Sequence, residues 1–95
     1  MHKKRILNPD WPRSSAADFA QGIQCGDTIY VSGQVAQAAD GSMVGDGDME
    51  EQARQVFANV EAVLALGGAT LNDIVRITTY VTDMAQYAGY AKVRK

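Results

Sequence analysis

A long amphipathic run with a clear start signal and a clear stop signal constrains the fold of this chain more than any other feature. Asp48 and Glu51 have the spacing of a capping box, in which two side chains satisfy free backbone N–H groups at a helix start. Gly67 and Gly68 end the run, because glycine adopts the left-handed cap without a Cβ penalty. Apolar residues recur at steps of three and four, which predicts a helix over residues 49–66. The residues on its inward-facing stripe are Met49, Ala53, Val56, Phe57, Val60, Val63 and Leu64.

Strands are predicted on both sides of that helix. Residues 19–24 and 28–32 flank the turn residues 25–27, which is hairpin spacing, and residues 28–32 alternate between apolar and polar side chains. Residues 74–82 are β-branched and alternating, with Val75, Ile77 and Val81 facing one way. A further short strand is predicted at residues 4–7.

A second helix is predicted to open at Asp83, three residues before Gln86, with Met84, Tyr87, Ala88 and Ala91 facing inward. The order of elements is then β-β-α-β-α. Two amphipathic helices on one face of a sheet make an α+β sandwich and leave the second face of the sheet available as a subunit interface. The residues predicted on that second face are Thr28, Tyr30, Ser32, Arg76, Thr78 and Tyr80.

Composition excludes several kinds of protein. Ninety-five residues make one domain with a modest core, so residues 1–95 are taken as a single unit. A net charge of -2 provides no positive field for nucleic acid or an anionic membrane. Cys25 is the only cysteine and cannot form an intrachain disulfide, which favours a reducing compartment. With no apolar signal core and no stretch of membrane-spanning length, a cytoplasmic location is predicted.

Few side chains carry recognisable chemistry. The only histidine is His2, near the terminus, so neither a histidine-activated nucleophile nor a metal site is predicted. Cys25 is interpreted as an inert turn thiol. Ser32, Gly33 and Gln34 end a predicted strand, where exposed backbone groups and a hydroxyl can meet a ligand. The same pattern is also typical of a plain exit from strand to loop, and the residues alone leave both interpretations open.

Four blocks occur in a distinctive order: Phe19-Ala20-Gln21-Gly22-Ile23; Tyr30-Val31-Ser32-Gly33-Gln34; Gln52-Ala53-Arg54-Gln55 with Asn59-Val60; and Asp73-Ile74-Val75 with Tyr80-Val81-Thr82-Asp83. In these blocks the chain resembles the Rid family (reactive intermediate deaminases, YjgF-like, also labelled endoribonuclease L-PSP or translation initiation inhibitor). The resemblance implies a chorismate-mutase-like α+β fold with a mixed sheet, a homotrimer, and ligand clefts between subunits. It also implies cofactor-free hydrolysis of enamines and imines such as 2-aminoacrylate to 2-oxo acids and ammonia.

Carried over from the family, the substrate-binding residues are Phe19, Ser32 and Gly33, and the ligand is a small 2-imino or 2-oxo acid. The chain departs from the deaminating members in having Phe19 for a tyrosine and Ala91 for an asparagine. Compared with them it also ends, at Lys95, before two strands that carry an arginine and a glutamate. Catalytic residues are therefore not assigned. The alternatives are a non-catalytic, trimeric small-molecule-binding or chaperone-like member and an endoribonuclease or translation inhibitor, which the net charge disfavours.

Overall fold

The computed structural model describes residues 3–94, so the predictions concerning His2 and Lys95 fall outside the described residues. The strands are β1 (Lys4–Ile6), β2 (Gly22–Cys25) and β3 (Thr28–Val31), and the helices are α1 (Pro12–Ala16), α2 (Met49–Leu66) and α3 (Tyr87–Arg94). Short 3-10 turns lie at Leu71–Asp73 and Met84–Gln86. The predicted α+β class is confirmed.

The sheet is antiparallel, in the order β1-β2-β3. The predicted hairpin is confirmed, with Cys25 opposite Thr28 and a two-residue turn in which Gly26 has φ 61°. The short N-terminal strand is also confirmed, and it pairs with β2. A mixed sheet was expected, whereas every ladder among residues 3–94 is antiparallel.

The strand predicted at residues 74–82 does not form. The predicted element order β-β-α-β-α is therefore wrong at its third strand. The sequence has strand propensity, but a strand needs a neighbour to take its backbone hydrogen bonds, and residues 74–82 have no ladder partner among residues 3–94. Val75, predicted to face inward, is 99% exposed. Arg76, Thr78 and Tyr80 therefore do not share a sheet surface with Tyr30.

Helix α2 begins and ends where the sequence predicts. The Asp48 carboxylate accepts a hydrogen bond from the Glu51 N–H at 3.2 Å, but the Glu51 side chain pairs with Arg54 and does not return to the cap. At the far end, Gly68 has φ 76° and is the left-handed residue. Of the predicted stripe, four residues are buried, namely Met49, Ala53, Val63 and Leu64. Val56, Phe57 and Val60 are only half-buried.

The residue that α3 buries in the core is not one of those predicted. It begins at Tyr87, and Tyr90 is its buried side chain, packed with Met49 and Ala53. Of the predicted inward residues, Met84, Tyr87 and Ala88 are exposed and Ala91 is half-buried, because Met84 lies in the preceding 3-10 turn and the helix turns Tyr90 to the core. The inward face was therefore predicted in the wrong register.

The sheet packs closely on α2, with a glycine at each of the tightest contacts. Leu7 and Val63 are 1% and 0% exposed, and Gly22 on β2 lies directly against Val63. A Cβ at Gly67 would lie 2.6 Å from Cδ1 of Ile29, so glycine is needed there for close approach rather than for backbone conformation. This packing fixes the end of β3 relative to the helix layer.

Candidate functional site

The site predicted from the sequence lies where β3 ends. The Ser32 N–H donates to the Gln21 carbonyl at 2.9 Å, and its hydroxyl donates to the Ala20 carbonyl at 2.6 Å. Gly33 is exposed, and a Cβ built there would have no atom within 4 Å. Phe19 adjoins Ala20 in the chain and is 59% exposed. The fold thus brings the chain around Phe19 to Ser32 and Gly33, with open space over the Gly33 backbone.

Beneath the strand end lies a network of amide side chains. Gln21 is 3% exposed, and its N–H donates to Oδ1 of Asn8 at 2.7 Å. Gln21 Oε1 accepts from Nε2 of Gln34 at 2.9 Å and from Nη1 of Arg13 at 3.3 Å. Oε1 of Gln34 in turn accepts from Nη2 of Arg13 at 3.4 Å. The network holds Gln34 and the end of β3 in place, since a buried amide is costly unless it is bonded.

Arg13 brings a positive charge to this network. It lies in α1, which has Pro12 in its first turn, and its guanidinium stacks over the Trp11 ring at 4.1 Å. Desolvation by burial lowers the pKa of Arg13 below its usual value, although an arginine stays charged at neutral pH. None of the ion pairs within residues 3–94 includes Arg13, and its buried Nε lacks a hydrogen-bond partner. The guanidinium charge is therefore not balanced by a carboxylate among the described residues.

Sequence reasoning missed both Arg13 and Gln21 as site residues. Gln21 was assigned to a strand that in fact starts at Gly22, and no role was assigned to Arg13. The proline at position 12 was the one available signal, since proline favours the first position of a helix. Nothing in the spacing indicated that a glutamine thirteen residues before Gln34 would bond to it.

The strand end opens into a long groove with a volume of about 1600 Å³. Ser32, Gly33 and Gln34 line the groove at the strand end, α2 forms its floor, and residues 73–82 line its opposite wall. Through Gln34, the groove therefore borders the amide network.

The hydrogen-bonded network at the strand end carries one positive charge, that of Arg13. The side chains that hydrogen-bond within the network, in the part of the chain that the structure describes, are amides, one guanidinium and one hydroxyl. None of them is a carboxylate or an imidazole that could transfer a proton at neutral pH. Residues 3–94 contain no cluster of three or more potential metal-binding side chains. No helix in this range is long and apolar enough to cross a membrane.

The fold and the candidate site together define a small α+β sandwich protein with its site at a strand end. Comparison with known proteins identifies the family. Residues 11–95 match the family model described as endoribonuclease L-PSP. The chain belongs to the endoribonuclease L-PSP family. This confirms the resemblance to Rid proteins that the sequence blocks indicated.

The relatives agree with that assignment. A RutC family protein of Pyrococcus abyssi is 36% identical over 93 residues, which are 98% of this chain and 72% of the relative. A 2-iminobutanoate/2-iminopropanoate deaminase of Dermatophagoides farinae is 26% identical over 95 residues, covering 74% of that protein. The crystal structure of yeast Mmf1 superposes on 96% of this chain and 72% of its own, with a TM-score of 0.86 and 30% identity. The YjgF-like fold is thereby established.

Proposed function

We propose that this chain binds small 2-imino and 2-oxo acids at the strand end and hydrolyses the imines to 2-oxo acids and ammonia. The observation that carries the proposal is the Arg13 guanidinium, which has no ion-pair partner among residues 3–94 and lies in the network that holds Ser32 and Gln34. The name of the Dermatophagoides farinae relative supports the reaction and the substrate class.

Arginine suits the carboxylate of such a substrate. Its planar guanidinium binds a carboxylate through two parallel hydrogen bonds, which fixes the orientation of the acid as well as its position. Both bonds that Arg13 makes to glutamine oxygens are long, 3.3 and 3.4 Å, so a carboxylate could replace them at low cost. The exposed Gly33 backbone can then contact the imine end, and the Phe19 ring can cover the alkyl group.

The reaction needs no cofactor in this proposal. Water adds to the carbon of the C=N bond, the C–N bond breaks, nitrogen leaves as ammonia, and the oxygen of water becomes the keto oxygen. An imine carbon is already electrophilic, so the contribution of the protein is to orient the substrate and the water. Catalytic side chains are not assigned.

A second candidate, binding without turnover, is favoured by a specific feature of the site. The Ser32 hydroxyl is engaged with the Ala20 carbonyl at 2.6 Å, and the network side chains include no group that exchanges protons near pH 7. A chain with this site could hold 2-oxo acids, or shield other proteins from reactive imines, without accelerating hydrolysis.

An assembly of copies is part of the proposal. Ile6, Ile23 and Tyr30 are direct register partners across the three strands and so share the outer face of the sheet. Ile6 and Tyr30 are 64% and 65% exposed, which leaves an apolar row open to solvent. Such a row is typical of a protein interface, and we expect a homo-oligomer, with the trimer as the predicted state. A monomer in light scattering would contradict this part.

One assay distinguishes the two candidate functions. An amino-acid oxidase generates 2-iminobutanoate from 2-aminobutanoate, and the rate of ammonia release is measured with and without the chain. The deaminase proposal predicts a faster release with the wild-type chain and a loss of most of the gain with Arg13→Gln. Arg54→Gln removes an exposed arginine on α2 and serves as the matched control. An unchanged rate together with a ligand-induced rise in melting temperature would favour binding without turnover.

A further inference from the structure

Hydrogen bonds hold the Arg13 guanidinium only loosely. Its bonds to Oε1 of Gln21 and to Oε1 of Gln34 are 3.3 and 3.4 Å long, which is longer than usual for an N–H···O bond. None of the ion pairs formed within residues 3–94 includes Arg13. An arginine side chain loses much rotamer freedom when it is fixed in one position. A further contact is therefore needed to keep the guanidinium in place.

The indole ring of Trp11 makes that contact. The central carbon of the Arg13 guanidinium lies 4.1 Å from the centroid of the ring. This distance is short enough for a cation–π interaction, and tryptophan is the aromatic side chain that attracts a cation most strongly. A guanidinium stacked on a ring keeps the N–H groups at its edge free to donate, and a carboxylate binds to that edge. The stack thus orients Arg13 without using up its donors.

The backbone at the start of α1 brings the ring to Arg13. Two side chains at positions i and i+2 within a helix do not face each other. Trp11 instead precedes the helix, with an extended backbone of φ −106° and ψ 140°. Pro12 favours this conformation, because proline disfavours helical backbone in the residue before it. The Trp11 carbonyl also accepts a hydrogen bond from the Ser14 N–H at 2.9 Å, so the local sequence fixes the geometry of the stack.

We infer that Trp11 is a positioning residue, whose ring holds the Arg13 guanidinium ready for the carboxylate of a 2-imino or 2-oxo acid. The inference rests on the proposed function, since it takes Arg13 as the residue that binds the carboxylate. A guanidinium that is fixed before the acid arrives loses little further freedom on binding, so the affinity is higher. Because Trp11 is only half-buried, replacing it is expected to weaken binding without unfolding the chain.

The stack is tested first without any ligand. In NMR spectra of the full 95-residue chain, the Hδ protons of Arg13 are expected to resonate upfield of their ordinary position, because they lie close to the ring current of Trp11. Trp11→Leu removes the ring and is expected to return these signals to their ordinary position. Arg13 signals that are the same in the wild-type chain and in a folded Trp11→Leu variant would overturn the inference, whatever the ligand results.

The affinity for 2-oxobutanoate measures the consequence of the stack. Trp11→Leu is expected to weaken binding about fivefold, whereas Trp11→Phe keeps an aromatic face and is expected to stay within about twofold of the wild-type chain. Tyr87→Leu removes an aromatic ring from α3 and is the matched control, with unchanged affinity expected. Circular dichroism verifies that each variant is folded. Equal affinity in the wild-type chain and in Trp11→Leu would overturn the role of Trp11 and leave the proposed function standing.

The fluorescence of Trp11 provides a measurement that requires no variant. Trp11 is the only tryptophan in the chain, so the emission reports on the ring that Arg13 covers. Binding of 2-oxobutanoate is expected to change this emission, whereas methyl 2-oxobutanoate, in which the carboxylate is esterified, is expected to leave it unchanged. Binding of 2-oxobutanoate with no change in emission would overturn the inference alone. A wild-type chain that does not bind 2-oxobutanoate would overturn both the inference and the proposed function.

Discussion

Gln86 caps helix α2 from a distance of thirty-seven residues: its Oε1 accepts a hydrogen bond from the backbone N–H of Met49 at 2.9 Å. The N–H groups in the first turn of a helix have no partner within the helix. Asp48 satisfies one of them, at Glu51, and Gln86 satisfies another. The side chain that the sequence assigned to the start of the second helix thus also stabilises the start of the first.

Replacing Gln86 with alanine is expected to lower the free energy of unfolding by about 1 kcal/mol, because the N–H of Met49 loses its acceptor. Urea denaturation followed by circular dichroism measures the change. Gln86→Glu keeps an acceptor at a helix start, where negative charge is favourable, and should retain most of the stability. Equal losses in the two variants would show that the hydrogen bond is not the cause.

Tyr90 joins α3 to residues 74–82, since its hydroxyl lies 2.6 Å from Oγ1 of Thr79 and its ring is buried. Tyr90→Phe removes only that bond and should cost about 1 kcal/mol of unfolding free energy. Tyr90→Ala also empties a core position and should cost about 3–5 kcal/mol. Tyr87→Phe is the matched control, since its bond to Arg94 is exposed, and a change within about 0.5 kcal/mol is expected.

Gly22 is predicted to be intolerant of a side chain. A Cβ there would collide with Cγ1 of Val63, which has no exposed surface, and overpacking of a core typically costs about 1–3 kcal/mol. Gly22→Ala should therefore lower the midpoint of urea denaturation, and adding Val63→Ala should make the Gly22→Ala change less costly. The control is Gly33→Ala, at a position with open space, which should leave stability nearly unchanged. Equal effects at the two glycines would contradict the predicted clash.

The ion pair at the start of α2 predicts a pH effect. The hydrogen bond from Arg54, and to a lesser extent the charge of Lys92, lowers the pKa of the Glu50 carboxyl below its usual 4.5, although partial desolvation opposes the shift. Since the carboxyl is more acidic in the folded state, its stabilising contribution is present at neutral pH and is lost as the pH falls below 4.5. Glu50→Gln should thus lower the denaturation midpoint at pH 7 and have less effect at pH 3. Glu61→Gln, on the same helix, is the control; a pH-independent Glu50→Gln effect would contradict the account.

Elements that are stabilised locally were predictable from the sequence. Helix α2 carries the Asp48 cap, its own stop signal and an apolar stripe, and the hairpin carries its own turn, so the signals that predict both elements are local, although Gln86 adds a distant cap to α2. Residues 74–82 failed as a predicted strand for the opposite reason. Their alternation is strand-like, but pairing depends on a neighbour that the local sequence cannot provide.

The candidate site was only partly predictable. Ser32 and Gly33 were accessible to sequence reasoning because a strand that ends in a glycine-containing loop exposes its backbone. Arg13 and Gln21 were not, because their bonds to each other and to Gln34 span eight to twenty-one residues and have no characteristic spacing. Hydrogen bonds of this kind join segments that are distant in the sequence, so they depend on the tertiary fold.

The measurement that tests the account most directly is an NMR titration of the isotope-labelled chain with 2-oxobutanoate, the keto product expected from 2-iminobutanoate. The account predicts shift changes concentrated at the amides of Ser32 and Gly33 and at the side chain of Arg13, with binding weakened at least about tenfold by Arg13→Gln. Circular dichroism verifies that the variant is folded. Shift changes confined to other parts of the chain, or equal affinity in a folded Arg13→Gln variant, would contradict the assignment of this site.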